Sequence, residues 1–266
     1  MTELDETALL AHYGLSDPAL CELGLFMCES PSLLLAAAQG GVEAESMLVT
    51  WEFLKENPDC ATDFEMMWPR RPVLKVEGAY FQTLMGFPLT RGPLALLARP
   101  KPKALEEILE ASRRIVIVED STNGANIASI FRSAHTFGID AILISHSCID
   151  PLQRRAARMS KGTALKVPWL RVGSRWRWAS EVLPRLKSFG YDIYGLALTA
   201  SSVPLDSLEL DKSQKAAFIL GTEGEGLCKD TLQQCDKTVI IPMREGVDSL
   251  NVSAASAIAC WFLSKH

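Results

Sequence analysis

From Arg114 to the C-terminus, short β-branched and apolar runs alternate with stretches of helical periodicity, and few folds accept that alternation. The runs fall at 115–119, 141–145, 167–172, 192–197, 216–220 and 238–241. Between them the spacing predicts helices at 126–137, 153–159, 178–189, 227–234 and 250–264. Repeated strand and helix are the signature of an α/β domain whose mostly parallel sheet is covered on both faces. In open sheets of this kind the loops leaving the C-terminal strand ends hold the ligand.

A chain of 266 residues exceeds a typical single core, so a second domain is expected upstream. There the pattern is less regular: a helix-like run at 32–39, strands at 46–49 and 73–76, then a passage through 81–85 to the apolar run 93–98. The stretch 99–103, RPKPK, reads as a stiff solvated connector, and 104–112 has helical spacing leading into the next domain. We therefore place a small α/β domain with its linker at 1–108 and the regular α/β domain at 109–266.

The net charge of −5 is unevenly spread. Residues 1–108 hold 8 Lys/Arg against 16 Asp/Glu, whereas 109–266 hold 19 against 16. Ten basic residues crowd 151–187 against the single acid Glu181, and Arg154, Arg155, Arg158 and Lys161 form its densest part. Such a segment suits phosphates, although a solvated helix face is the plainer alternative. Seven cysteines without a C-x-x-C pair and four histidines without ligand spacing signal neither a disulfide framework nor a metal site. No apolar run is long enough to cross a membrane, and MTELDETALL has acids where a secretion signal has bases, so a cytoplasmic protein is expected.

Three loops carry chemistry. In the first, 119–134, Asn123-Gly124 reads as a turn and Asn126 as the cap of a helix whose apolar stripe is Ile127, Ile130, Phe131 and Ala134. Asn126 and Arg132 would lie about 120° apart if both were helical, so their convergence needs Asn126 to be the cap. Spacing alone allows Arg132 to be a surface ion-pair partner.

The second loop, 217–227, empties an apolar strand into Gly221, Gly224 and Gly226 interleaved with Glu223 and Glu225. Glycines admit a ligand close to the backbone. A dinucleotide fingerprint started at Gly224 fails at Lys229, and two carboxylates disfavour a phosphate. An acidic surface turn remains the alternative. In the third, 240–259, a polar loop precedes a helix of very small residues that Asp248 or Ser249 can cap. Small residues there permit close packing by a ligand, another helix or a second subunit.

Together and in this order, the three loops resemble the motifs of the SpoU (TrmH-like) branch of the SPOUT RNA 2′-O-ribose methyltransferases. Asn126 to Arg132 matches the first motif, N-x-G-x-x-x-R, with Ala128 where the family has glycine. Gly221 to Leu227 resembles the second, and Ile241-Pro242-Met243 with Ser249-Leu250-Asn251-Val252 resembles the third. The upstream stretches 29–50 and 81–100 are similar, more faintly, to a ribosomal-protein-like RNA-binding domain.

The resemblance implies a parallel sheet whose C-terminal part is tied in a deep trefoil knot, and a homodimer with active sites near the interface. It implies S-adenosylmethionine as cofactor, contacted by Thr199, Ala200, Gly221, Gly226, Ile241, Met243 and Leu250. It implies catalysis by Arg132, with Asn126, Glu223, Ser249 and Asn251 orienting it and the nucleotide. The substrate class is then rRNA or tRNA. A free guanidinium titrates above about 12, so proton abstraction by arginine demands strong perturbation, whereas steadying an alkoxide or phosphate does not. The competing reading is a catalytically degenerate RNA-binding protein on the same scaffold.

Overall fold

The computed structural model describes residues 6–88, 92–174, 177–222, 224, 226–244 and 249–265. It divides into two compact units, one of residues up to Lys101 together with Leu152–Lys166, the other of Pro102–Pro151 together with Val167–His266. Among the described residues no helix is long and apolar enough to cross a membrane.

The first unit is built on a four-stranded sheet of β1 (Leu25–Cys28), β2 (Ala44–Thr50), β3 (Val73–Val76) and β4 (Leu94–Ala98), in the order β1-β4-β2-β3. β4 runs antiparallel to both neighbours, and β2 and β3 are parallel. Local chemistry starts the helices. Ser30 accepts from the Leu33 N–H and Pro31 sits at the first turn of Pro31–Gln39, while Thr50 caps Trp51–Glu56 in the same way. Tyr13, Leu20, Met27, Leu48, Phe81 and Leu96 fill the core between helices and sheet. The buried Tyr13 hydroxyl is satisfied at 2.9 Å by the hydroxyl of Ser46.

Chain order puts 152–166 with the downstream half, but packing puts it with the first unit. The helix Arg154–Met159 buries Ala156 and Ala157 and lies against β1, and Thr163–Lys166 lies against Pro31–Gln39. Gly162, at φ +88°, approaches so closely that an added Cβ would come within 2.5 Å of the Ala36 Cβ. The Arg154 Nε meets Asp17 at 3.2 Å, and Arg158 meets Glu29 at 2.8 Å.

The second unit carries a wholly parallel sheet of seven strands: β5 (Arg114–Val118), β6 (Ala141–Ser145), β7 (Trp169–Val172), β8 (Tyr191–Leu196), β9 (Val203–Pro204), β10 (Lys215–Leu220) and β11 (Lys237–Ile240). Their order is β7-β6-β5-β10-β8-β11-β9. All of β5 and β6 and nearly all of β10 are buried, as a sheet covered on both faces requires. From β8 the chain runs out to the edge strand β9, returns to β10 between β5 and β8, and leaves again for β11 between β8 and β9. The closing helix Val252–Lys265 packs on β10 and on the helix Gly124–Thr136, turning Ser256, Ala259 and Cys260 inward and stacking Phe262 on Phe218.

Arg114 is a buried charged residue at the start of the interior strand β5, and backbone carbonyls take up its charge. Its guanidinium donates to the carbonyls of Asp211 at 3.0 Å and Leu263 at 3.3 Å, and to that of Gln214. It thereby fixes the approach to β10 and the end of the last helix onto β5. Arg114→Met keeps the apolar stem and loses these bonds, so the urea midpoint should fall by an amount equivalent to about 2–3 kcal/mol with an unchanged slope.

Candidate functional site

The C-terminal ends of β8 and β10 open into a cleft of about 380 Å³. Its walls are Leu196–Thr199 after β8, Leu220 to Thr222 with Gly224, Gly226 and Leu227 after β10, Leu232 from the next helix, and Ser249, Leu250, Val252 and Ala255 at the start of the last helix. Three separate loops thus meet at one place, although they lie far apart in the chain. No charged side chain lines the cleft among the described residues.

Glycine is required by the geometry of the second loop. A Cβ on Gly221 would sit 2.4 Å from the carbonyl carbon of Gly226, so the two ends of the loop press backbone to backbone. The Thr222 N–H donates to the Gly226 carbonyl at 3.3 Å and closes the loop, while Gly224 at φ +99° and Gly226 at φ +70° take left-handed conformations. After β8, the Thr199 N–H donates to the Ser202 hydroxyl at 3.0 Å, and that hydroxyl donates to the Ala197 carbonyl at 2.6 Å. Leu198 and Leu250 remain 68% and 38% exposed at the cleft.

Glu119, one residue past β5, braces this arrangement from below. It is 2% exposed, accepts the Cys228 N–H at 2.7 Å, and accepts the hydroxyl of the buried Thr231. Both donors belong to the segment after the glycine loop. Burial raises the carboxyl above its ordinary range, against the opposing pull of these hydrogen bonds.

Of the residues expected at a cofactor site, Thr199, Gly221, Gly226 and Leu250 line this cleft, and Ser249 joins them. Ala200, Ile241 and Met243 do not line it; Ala200 is exposed in the turn after β8, and Ile241 and Met243 come after β11 half-buried. Glu223 lies outside the described residues. Asn126 is not a cap. Asn123 caps instead, extended at φ −92° with its side chain accepting the Ala125 N–H at 2.9 Å, so the expected Asn123-Gly124 turn is the helix start. Asn126 therefore sits buried in the first turn, and Arg132, about 120° around the axis, is exposed.

The cap of the last helix is Asn251 rather than Ser249, and the other expected cap, Asp248, lies outside the described residues. The Asn251 side-chain oxygen accepts the Ser253 N–H at 2.9 Å, and its carbonyl accepts those of Ala254 and Ala255. In the basic segment Arg154 and Arg158 are held by carboxylates, and Arg155 and Lys161 are exposed. Among the described residues no group of three or more His, Cys, Asp or Glu could hold a metal ion. Sequence reasoning missed the apolar wall of Leu196, Leu198, Leu220, Leu227 and Leu232, and the brace at Glu119. Leu198, an apolar residue stranded in a polar loop, was the available signal.

A parallel α/β sheet with a glycine-edged cleft at its C-terminal strand ends, uncharged among the described residues, is the arrangement of a ligand-binding α/β domain. The chain belongs to the SpoU rRNA Methylase family, whose model matches residues 113–261. It is 32% identical over 189 residues to an uncharacterised tRNA/rRNA methyltransferase of Mycobacterium tuberculosis, a match covering 71% of this chain and 64% of that one. It is 29% identical over 196 residues to the 23S rRNA (guanosine-2′-O-)-methyltransferase RlmB of Acinetobacter baylyi, covering 71% and 76%.

The SpoU methyltransferase AviRb of Streptomyces viridochromogenes, solved with AdoMet, superposes with a TM-score of 0.77 at 20% identity over 98% of both chains. An AdoMet-bound rRNA methyltransferase of Sinorhizobium meliloti gives 0.76 at 17% identity, covering 100% of this chain and 96% of that one. At such identities the likeness is one of fold.

The raised carboxyl of Glu119 makes stability depend on pH. A carboxyl whose folded value lies above its unfolded value of about 4.3 contributes stability that is complete below that value and is lost as pH rises through the folded one. Relative to Glu119→Gln, the wild-type protein should therefore lose thermal stability as pH is raised from about 4 to about 8. A difference between the two melting curves that stays constant over that range would refute the assignment.

Proposed function

We propose that this protein is an S-adenosylmethionine-dependent RNA methyltransferase that modifies a ribose 2′-hydroxyl in rRNA or tRNA. The observation that carries this reading is the convergence of the second and third motif loops with the turn after β8 on one cleft that is apolar-walled, uncharged among its described lining residues, and bordered by backbone at Gly221 and Gly226. A nucleoside with a thioether or sulfonium arm fits such walls; a phosphate would want cations there. The cleft volume is within the range of small-ligand sites, roughly 300–1,000 Å³. Bound there, the cofactor supplies a methyl group activated by positive sulfur.

Leu198, Leu220, Leu227 and Leu250 would cover the flat apolar part of the ligand. The backbone at Gly221 and Gly226, with Thr199, would meet its polar edge. For the acceptor, the protein must hold a hydroxyl in place and ease the loss of its proton. Arg132 is the group for that role: it steadies the developing alkoxide or the neighbouring phosphate, and proton removal is its stronger role. Asn126, Glu223, Ser249 and Asn251 position it and the nucleotide.

Arg132 is exposed and does not line its own cleft, which supports a homodimer in which the site is completed near the interface. The interleaved course β8 to β9 to β10 to β11 supports a deep trefoil knot in 190–265, an exception to the usual rule of unthreaded connections. A chain acting on rRNA or tRNA would work in the cytoplasm. Arg155 and Lys161, both exposed, remain as phosphate contacts.

Two measurements test this reading. Titration calorimetry should find S-adenosylmethionine bound near one per subunit, and Leu250→Arg, at a partly exposed position the fold tolerates, should weaken binding at least tenfold; absence of binding to folded wild-type protein overturns it. Arg132→Ala should leave cofactor affinity intact and lower turnover on the RNA substrate by about 100-fold or more. Unchanged turnover removes Arg132 from the mechanism.

A further inference from the structure

The first unit carries a second concavity, of about 770 Å³, that methyl transfer does not use. Its floor is apolar, formed by Leu34, Leu35, Phe53, Met66 and Met67 between the helices Pro31–Gln39, Trp51–Glu56 and Cys60–Met67. Much of that floor is open to water: Met66 is 69% exposed and Leu35 54%. The helix Cys60–Met67 buries only Phe64, which leaves its methionines for something else. Paired methionines make an adaptable apolar surface of the kind that accepts amphipathic helices.

The rim is acidic. Glu56, Asp59 and Asp63 line the groove, and among the described residues no Lys or Arg does. From position 29 to 69 the sequence holds eight Asp or Glu against Lys55 alone. Arg71, just beyond that stretch, is already engaged by Glu43 and Glu45 at 3.4 and 3.6 Å. RNA is therefore a poor occupant, since its phosphates would face three carboxylates with no cation among the described lining residues. A chain with apolar anchors on one face and lysines or arginines on the other meets both floor and rim.

We propose that this groove is a docking site for a basic amphipathic helix of a protein partner. Its anchors occupy the Met66, Met67 and Leu35 floor, and its cations lie against Glu56, Asp59 and Asp63. The inference does not rest on the methyl-transfer reading. It gives the acidic half of the chain a protein ligand in place of RNA.

The test uses the full chain and a fluorescein-labelled synthetic peptide of about 14 residues, with Leu at i, i+3, i+4 and i+7 and Lys elsewhere, followed by fluorescence anisotropy at low salt. Two comparator peptides replace every Lys by Glu or every Leu by Ser. The Lys/Leu peptide should bind the wild-type protein and neither comparator should. Met66→Glu and the double variant Asp59→Lys, Asp63→Lys, all at exposed positions, should each weaken binding at least tenfold while melting like wild type. If Met66→Glu melts lower, Leu35→Ser takes its place. Absence of binding, equal affinity in the variants, binding of either comparator, or displacement of the peptide by a uridine oligonucleotide would each overturn the proposal.

Discussion

Everything in the second unit depends on the pairing of β5 with β10. Both strands are buried on both faces, so their backbone groups have only each other and their outer neighbours to satisfy them. The ladder continues one step past the strands, where the Glu119 N–H donates to the Leu220 carbonyl at 2.8 Å. At that step the chain turns out of the sheet on both sides. Leu220 releases the glycine loop into the cleft, and the Glu119 side chain catches the far end of that loop at Cys228 and Thr231. Cleft and brace are thus two results of one strand pair ending at the same level.

Charge is handled differently in the two units. In the second, Arg114 is surrounded by carbonyls and the cleft lining is neutral among described residues, so polarity comes mostly from backbone dipoles. In the first, side-chain carboxylates predominate, and two arginines of the basic segment are spent neutralising Asp17 and Glu29. A run of like charges in a sequence therefore says little about what it binds until its counter-charges are placed.

Much of this fold was legible in the sequence because the strands are apolar and the helices amphipathic. The runs 73–76 and 141–145 coincide with β3 and β6, and the others differ from observation by a residue or two at their ends. The strand β1 was not among the expected runs, and the rest of what could not be read was very short or of longer range. β9 is two residues with a proline at the sheet edge, too short for periodicity to register, and the insertion of β10 between β5 and β8 depends on pairing that local pattern does not encode. At the site, Asn123 and Asn126 are equally good caps by residue type, and only the burial of Asn126 separates them. Motif spacing picked out Gly221, Gly226, Ser249 and Leu250. The leucines beside them, contributed by strand ends, look in sequence like ordinary core.

The placement of Leu152–Lys166 has a consequence for how the chain is made. The surface of β1 and of the helix Pro31–Gln39 is covered by residues that leave the ribosome about 130 positions later, after β5 and β6. The N-terminal 101 residues hold an apolar core of their own, but their final packing waits on part of the downstream sheet being synthesised. Contacts of such sequence separation slow folding and leave apolar surface transiently open. Biogenesis of the first unit is in this way coupled to that of the second, although their cores are separate.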